Sequence, residues 1–216
     1  MKKLIIILIA LSFVGVCLAG NNGNRALIAR RNAVPSSLVV TDDFNRDNET
    51  PLAGNWTSGT GGGGTMNLTT NQVVYAGAAT AWYYWNADSF GNDQYVKASI
   101  DRGTYMSGLV LRGQSGAFTF YLAHIESDAK LVLYYQVAGG GYTQIGADVV
   151  ITYVQDAILE FRVTGSNPSL LTVIYNGSEV VTDREDSNVD SGGAPGLFFL
   201  SASCDGSFDD FEGGDL

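Results

Sequence analysis

Apolar and polar residues alternate along most of the chain, in short runs broken roughly every ten residues by glycine, asparagine or proline. In Ala157–Thr164 (AILEFRVT), Leu159, Phe161 and Val163 share one face of an extended chain, and Glu160, Arg162 and Thr164 share the other. That period of two describes a strand with one face in a core and one in water. The same reasoning predicts strands at Met66–Leu68, Val73–Ala76, Ala81–Asn86, Gln94–Asp101, Gly108–Arg112 and Phe118–Glu126. Further ones are predicted at Lys130–Ala138, Tyr142–Ala147, Leu170–Tyr175, Glu179–Thr182, Gly196–Ser203 and Phe208–Gly213. No window repeats apolar residues at i, i+3, i+4 and i+7, so no helix is predicted.

The turns fix how neighbours pair. Asn176-Gly177, between LLTVIY and SEVVT, is a strong hairpin signal because both central residues of a type I′ turn need positive φ. Gly165–Pro168 joins AILEFRVT to SLLTVIY, and Gly139–Gly141 joins LVLYYQVA to YTQIGA. These three antiparallel connections predict a meander. About a dozen strands without helices must form two packed sheets to bury their apolar faces. The stretch SFDDFEGGDL at Ser207–Leu216 echoes VTDDFNR at Val40–Arg46. Pairing of the two would close the sheet and tie down both ends of the domain.

Composition narrows the class. Of 216 residues, 45% are hydrophobic and only 16% charged, with 27 glycines and 4 prolines, which fits a single β-rich domain. The net charge of −10 repels phosphate backbones, so nucleic acid is not an expected partner. Residues 1–19 (MKKLIIILIALSFVGVCLA) place two lysines before an apolar run and small residues after it, the pattern of a secretory leader cleaved after Ala19. The run is shorter than the ~20 residues of a spanning helix, so the mature chain is expected to lack a transmembrane segment. Lipidation at Cys17 is the weaker alternative, since Val16 precedes the cysteine where a small residue is wanted. Residues 20–37 read as a polar arm and 38–216 as the folded domain. The mature chain is expected to be secreted or held at the cell surface. It would keep one cysteine, Cys204, whose alternation with Phe198, Leu200 and Ala202 predicts a buried thiol.

Few residues declare chemistry. GTGGGGT lacks the Gly-Lys-Ser/Thr ending of a phosphate loop and reads as a flexible loop. His124 is the sole histidine, so no zinc cluster or hydrolase triad is legible. AWYYWN at Ala81–Asn86 puts Trp82 and Tyr84 on one face and Tyr83 and Trp85 on the other. One pair should fill the core and the other should be exposed, covered by a loop, or part of a groove. Aromatic rings stack on the apolar faces of sugars.

The order of these features resembles the concanavalin A-like lectin/glucanase superfamily, in its laminin-G-like jelly-roll branch of bacterial and phage type. The matching stretches are VTDDFNRDN with GNW at Gly54–Trp56, GLVLRGQSGAFTFYLAHIE, LVLYYQVAGGGYTQIG, AILEFRVTGSNPSLLTVIYNGSEVVTDREDS, and GAPGLFFL with SFDDFEGGDL. The resemblance implies an all-β, two-sheet antiparallel jelly-roll sandwich with ligands on a concave face or its rim. It implies a carbohydrate-binding module outside the cell. A structural or adhesion component and a divergent glycoside hydrolase are the alternatives. Trp82, Tyr84, Arg112, His124 and Tyr134 form the expected ligand-binding set. Calcium in such folds often lies where the first and last strands meet, which makes Asp43 and Asp209 the expected metal ligands, with loop carbonyls completing the shell. Family glucanases carry E-x-D-x-E or E-x-D-x-x-E acids; neither pattern is present, and Glu126 and Glu160 stand alone. No catalytic residue is therefore assigned.

Overall fold

The computed structural model describes residues 37–77, 79–101, 106–126, 129–200 and 204–216. The leader, Cys17 and the arm as far as residue 36 lie outside them. Numbered along the chain, the strands are β1 (Val39–Asp42), β2 (Trp56–Ser58), β3 (Thr65–Thr69), β4 (Gln72–Ala76), β5 (Ala81–Trp85), β6 (Gln94–Asp101), β7 (Ser107–Gly113) and β8 (Phe120–Ile125). They continue with β9 (Lys130–Gln136), β10 (Thr143–Gln144), β11 (Val149–Val150), β12 (Ala157–Thr164), β13 (Ser169–Tyr175), β14 (Ser178–Asp186), β15 (Ala194–Phe199) and β16 (Ser207–Asp215). No helix occurs among the described residues. The fold is an all-β, two-sheet antiparallel jelly-roll sandwich.

One sheet runs β14-β13-β12-β6-β16-β4-β3, with β1 also paired to β16; the other runs β10-β9-β8-β7-β15-β5-β2, with β11 paired to β9. The β12-β13-β14 hairpins are adjacent, and Asn176 and Gly177 hold the expected positive φ values of 48° and 77°. The expected meander is split, however. The β9–β10 hairpin belongs to the other sheet, because the chain crosses between sheets before β12.

The terminal stretches pair as their sequences imply, with Val39 opposite Gly214 and Asp42 opposite Phe211. Phe208 and Phe211 are three apart, and an unbroken strand would point them to opposite faces. A register shift between Asp209 and Glu212, with Asp210 at φ 49°, turns both rings inward. Phe211 meets Trp56 edge-on at 4.6 Å and stacks on Trp85 at 5.9 Å, while Phe44 lies 5.9 Å from Trp56. Each such ring pair contributes about 0.5–1.5 kcal/mol beyond its buried area. Asp42 supports the same knot by accepting from the Trp56 indole at 2.9 Å and from Arg46 at 2.6 Å.

Cys204 departs from the expected alternation. β15 ends at Phe199, and Cys204 packs into the core between the sheets, whereas Phe198 and Leu200 belong to a cluster on the other side of their sheet. The thiol is buried, and burial pushes its pKa up.

Candidate functional site

The outer face of the second sheet carries an unusual amount of aromatic surface. On β5, Ala81, Tyr83 and Trp85 turn into the core between the sheets, and Trp82 and Tyr84 turn outward. Cross-strand registers align two rows on that outer face. One runs Trp82, Phe198, Gly108, His124 and Val132; the other runs Tyr84, Gly196, Val110, Leu122 and Tyr134. Trp82 is nonetheless fully buried. The glycine run after β2 lies flat along its ring, where Gly59 leaves so little space that a Cβ would sit 1.8 Å from the indole. The Trp82 Nε1–H donates to the Thr60 carbonyl at 3.0 Å, and the Gly59 N–H donates to the Trp82 carbonyl at 2.9 Å. Trp82 therefore supports the face from beneath, and Tyr84, half-buried and 5.5 Å from it, is the ring that reaches the surface.

Tyr84 stands at the edge of a groove of about 660 Å³. The groove opens at the end of the sheet where β5 and β7 finish and β15 begins. Three loops wall it. Residues 86–90 contribute Asn86 and Asp88, residues 113–117 contribute Gln114 and Ser115, and residues 191–194 contribute Ser191. Asp88 Oδ2 accepts from the Trp85 indole at 2.8 Å, and the Gln114 amide donates to Ser191 Oγ at 3.1 Å, tying two walls together. Among the described residues, Asp88 is the single carboxylate lining the groove. A ring at the rim with amide, hydroxyl and carboxylate groups around it presents both an apolar face and several hydrogen-bonding directions.

Arg112 lies below this groove, pointing away from the outer face. Alternation would place it beside Val110 on that face. Between Ala194 and Gly196 the β7–β15 register shifts, Arg112 adopts φ 52°, and its side chain turns into the interior, fully buried. The guanidinium donates to the Asn92 carbonyl (2.8 and 3.0 Å), the Val189 carbonyl (2.7 Å), Ser169 Oγ (2.7 Å) and the Gly165 carbonyl. Its Cζ lies 5.9 Å from the centre of the Tyr121 ring, and Asp93 and Asp190 act on it at longer range. Gln94, also fully buried, accepts from the Arg112 N–H at 3.2 Å and donates to the Gly193 carbonyl at 3.0 Å. Two of the three groove loops are thus anchored to one buried cation.

His124 and Tyr134 are brought together at the opposite part of the outer face, with their rings edge to face at 5.1 Å. They line a separate cavity away from Tyr84. Burial lowers the His124 pKa to about 4, so the ring is neutral at ordinary pH.

Asp43 and Asp209 interact electrostatically, and Asp43 lines a cleft at the β1–β16 junction with Asp42, Asp210 and Glu212. Asp43 is fully exposed and accepts from the Asn45 N–H at 3.1 Å, which holds its pKa down; burial, then Asp210, Asp43 and Asp156, push that of Asp209 up. Asp42 is already committed to Arg46 and Trp56. Among the described residues no three His, Cys, Asp or Glu side chains converge on a metal position. Calcium takes six to eight oxygens, so Asp43 and Asp209 would hold it only with loop carbonyls completing the shell. Melting curves in chelator and in millimolar calcium are expected to coincide. A drop in chelator that calcium reverses would restore the metal.

The groove residues outside β5 escape sequence reasoning because Asn86, Gln114, Ser115 and Ser191 sit in ordinary polar turns far apart in the chain. The available signal was positional: each follows or precedes a strand that shares a sheet with AWYYW.

No protein-family model matches this sequence, and no curated protein does. Solved structures match the fold. A carbohydrate binding module, CBM66, of Bacillus subtilis shares 19% identity over 72% of this chain and 91% of its own, with a TM-score of 0.57. A prokaryotic β-1,3-1,4-glucanase (lichenase) derived from a mouse hindgut metagenome shares 15% over 82% and 98%, with a TM-score of 0.52. The exoplasmic/lumenal domain of VIP36, in a form bound to Ca2+ and Man3GlcNAc, shares 10% over 75% and 83%, also with a TM-score of 0.52.

Proposed function

We propose that this chain is a non-catalytic carbohydrate-binding module that takes neutral polysaccharide in the groove beside Tyr84, at or outside the cell surface. The observation that carries it is the groove itself, an aromatic ring at the mouth of a cleft with amide, hydroxyl and carboxylate groups on its walls. A pyranose or furanose ring offers a C–H face to the tyrosine and hydroxyls to Asn86, Gln114 and Asp88. The net charge of −10, and a groove lining without Lys or Arg, disfavour acidic polymers. The likeness to a Bacillus subtilis carbohydrate binding module supports the same choice at the level of fold. The exported location rests on residues 1–19.

A hydrolase needs two carboxyl groups, about 5 Å apart in a retaining enzyme and roughly 6.5–9.5 Å in an inverting one. The groove lining offers Asp88 alone. The calcium of VIP36 has no counterpart in this proposal, because the ligand is held by the groove's own side chains.

Affinity electrophoresis through gels containing neutral or acidic polysaccharides tests the reading. Retardation is expected in one or more neutral gels and in none of the acidic ones. Tyr84→Ala should reduce it at least about tenfold with the melting temperature little changed, since the ring is partly exposed at the groove mouth. Free migration in every gel, or retardation that Tyr84→Ala leaves intact, would remove the assignment.

A further inference from the structure

The structure assigns the cavity beneath Tyr142 a second ligand, a small neutral monocyclic molecule bearing a hydroxyl group, of which phenol is the simplest example. The cavity measures about 250 Å³ and is lined by Met106, Leu122, His124, Tyr134, Tyr142 and Leu200. That size exceeds the roughly 150 Å³ that suffices to hold benzene in an apolar protein cavity, so a substituted ring fits. Its walls are mostly aliphatic and aromatic, which selects against a bare ion.

Among the described residues, both nitrogens of the His124 ring lack a hydrogen-bond partner, and the Tyr142 hydroxyl has Thr80 alone beside it. His124 is only 2% exposed. Its Nε2 lies 3.7 Å from Glu126 Oε1, beyond hydrogen-bonding reach. Thr80, the polar neighbour that acts on the Tyr142 hydroxyl, has its own hydroxyl donating to the Leu200 carbonyl at 2.9 Å. Orphaned groups of this kind are rare in native proteins and each is costly. A neutral imidazole offers one donor and one acceptor, and a phenolic hydroxyl can use either while bonding Tyr142 as well. A carboxylate is excluded, because the imidazole is uncharged and Glu126 stands behind it. The cross-strand residue Gly108 lies so close that a Cβ there would sit 2.6 Å from His124 Cβ, so only glycine leaves room for His124 at this position. Nothing in this inference depends on the groove at Tyr84.

The chain has one histidine, so the imidazole carbon–proton correlations in an NMR spectrum report on this cavity without assignment. Full-chain protein is titrated with phenol, toluene and benzoate at neutral pH. Phenol should shift the His124 resonances saturably, toluene should bind about tenfold more weakly for want of the hydrogen bond, and benzoate should have no effect. Tyr142→Phe, which keeps the reporter, should weaken phenol about tenfold. Leu200→Trp, which grows a half-buried side chain into the cavity, should abolish saturation, whereas Tyr84→Ala should change nothing. The proposal is overturned if phenol gives no saturable shift up to its solubility limit, which would mean a cavity filled by water only. It is equally overturned if the three probes act alike, or if Tyr142→Phe binds phenol as the parent does.

Discussion

Replacing Arg112 with leucine is expected to remove a large part of the stability of the folded domain. The substitution leaves the Val189 carbonyl and the Ser169 hydroxyl facing an alkyl group in the interior, and it removes the donor from the carbonyls of Asn92 and Gly165 at the more exposed edge of the site. Each orphaned buried acceptor costs about 1–3 kcal/mol, so the two interior ones together cost about 2–6 kcal/mol, against the ~5–15 kcal/mol that holds a typical domain together. Arg112→Lys should fall between the two. It keeps the charge but offers three donors from a point rather than a planar fork reaching several carbonyls at once. Urea unfolding would measure both. Because Asn92 and Val189 stabilise loops beside the groove, the lysine variant should also lose polysaccharide retention out of proportion to its loss of stability. A leucine variant that melts within a few degrees of the parent would show the cation to be dispensable.

Acid should destabilise the domain through His124 by about 3 kcal/mol between neutral pH and pH 4. The ring titrates near 6.5 in an unfolded chain and, because burial penalises its charged form, near 4 in the folded one. Between those values the unfolded chain holds the extra proton, so stability rises with pH across the window and falls as the solution is acidified from about 6.5 towards 4. The groups packed on the ring, Gly108, Leu122, Val132 and Tyr134, carry no charge, and among the described residues Glu126 at 3.7 Å is the acidic partner a protonated ring would gain. His124→Leu keeps the shape and removes the titration. Unfolding free energies of the two proteins, measured over this range, should therefore diverge on acidification, the variant becoming relatively more stable. Parallel curves would mean that the imidazole is solvated. The carboxylates titrate in both proteins and cancel in the comparison.

Much of the architecture was legible because it follows from local rules. The alternation in AILEFRVT, the Asn176-Gly177 turn and the matched DDF segments each specify a neighbour without knowledge of the rest. The site was legible only where alternation survived. Trp82 and Tyr84 do share a face, but the glycine loop that hides Trp82 comes from residues some twenty positions away. Arg112 was expected beside Val110, and a single bulged residue reversed it. Cys204 was placed by extending a strand that in fact ends at Phe199. The groove was invisible for a different reason. It is made by the convergence of three loops, and hydrophobic period encodes which face a residue takes, not which loops meet at a sheet's end.

The β1–β16 pairing carries a mechanical consequence. Val39 lies opposite Gly214, so Leu38 and Leu216 leave the domain side by side from one end of an antiparallel pair. Tension applied to those two positions pulls across the rungs rather than along the strands. Its load then falls on one rung after another, as in opening a zip, instead of being shared by all of them at once. A module anchored to a surface through these two positions would yield by peeling β1 from β16. If the grip on polysaccharide runs through the distant second sheet, a pull on the bound polymer reaches the anchor along a different line from a pull on the chain ends.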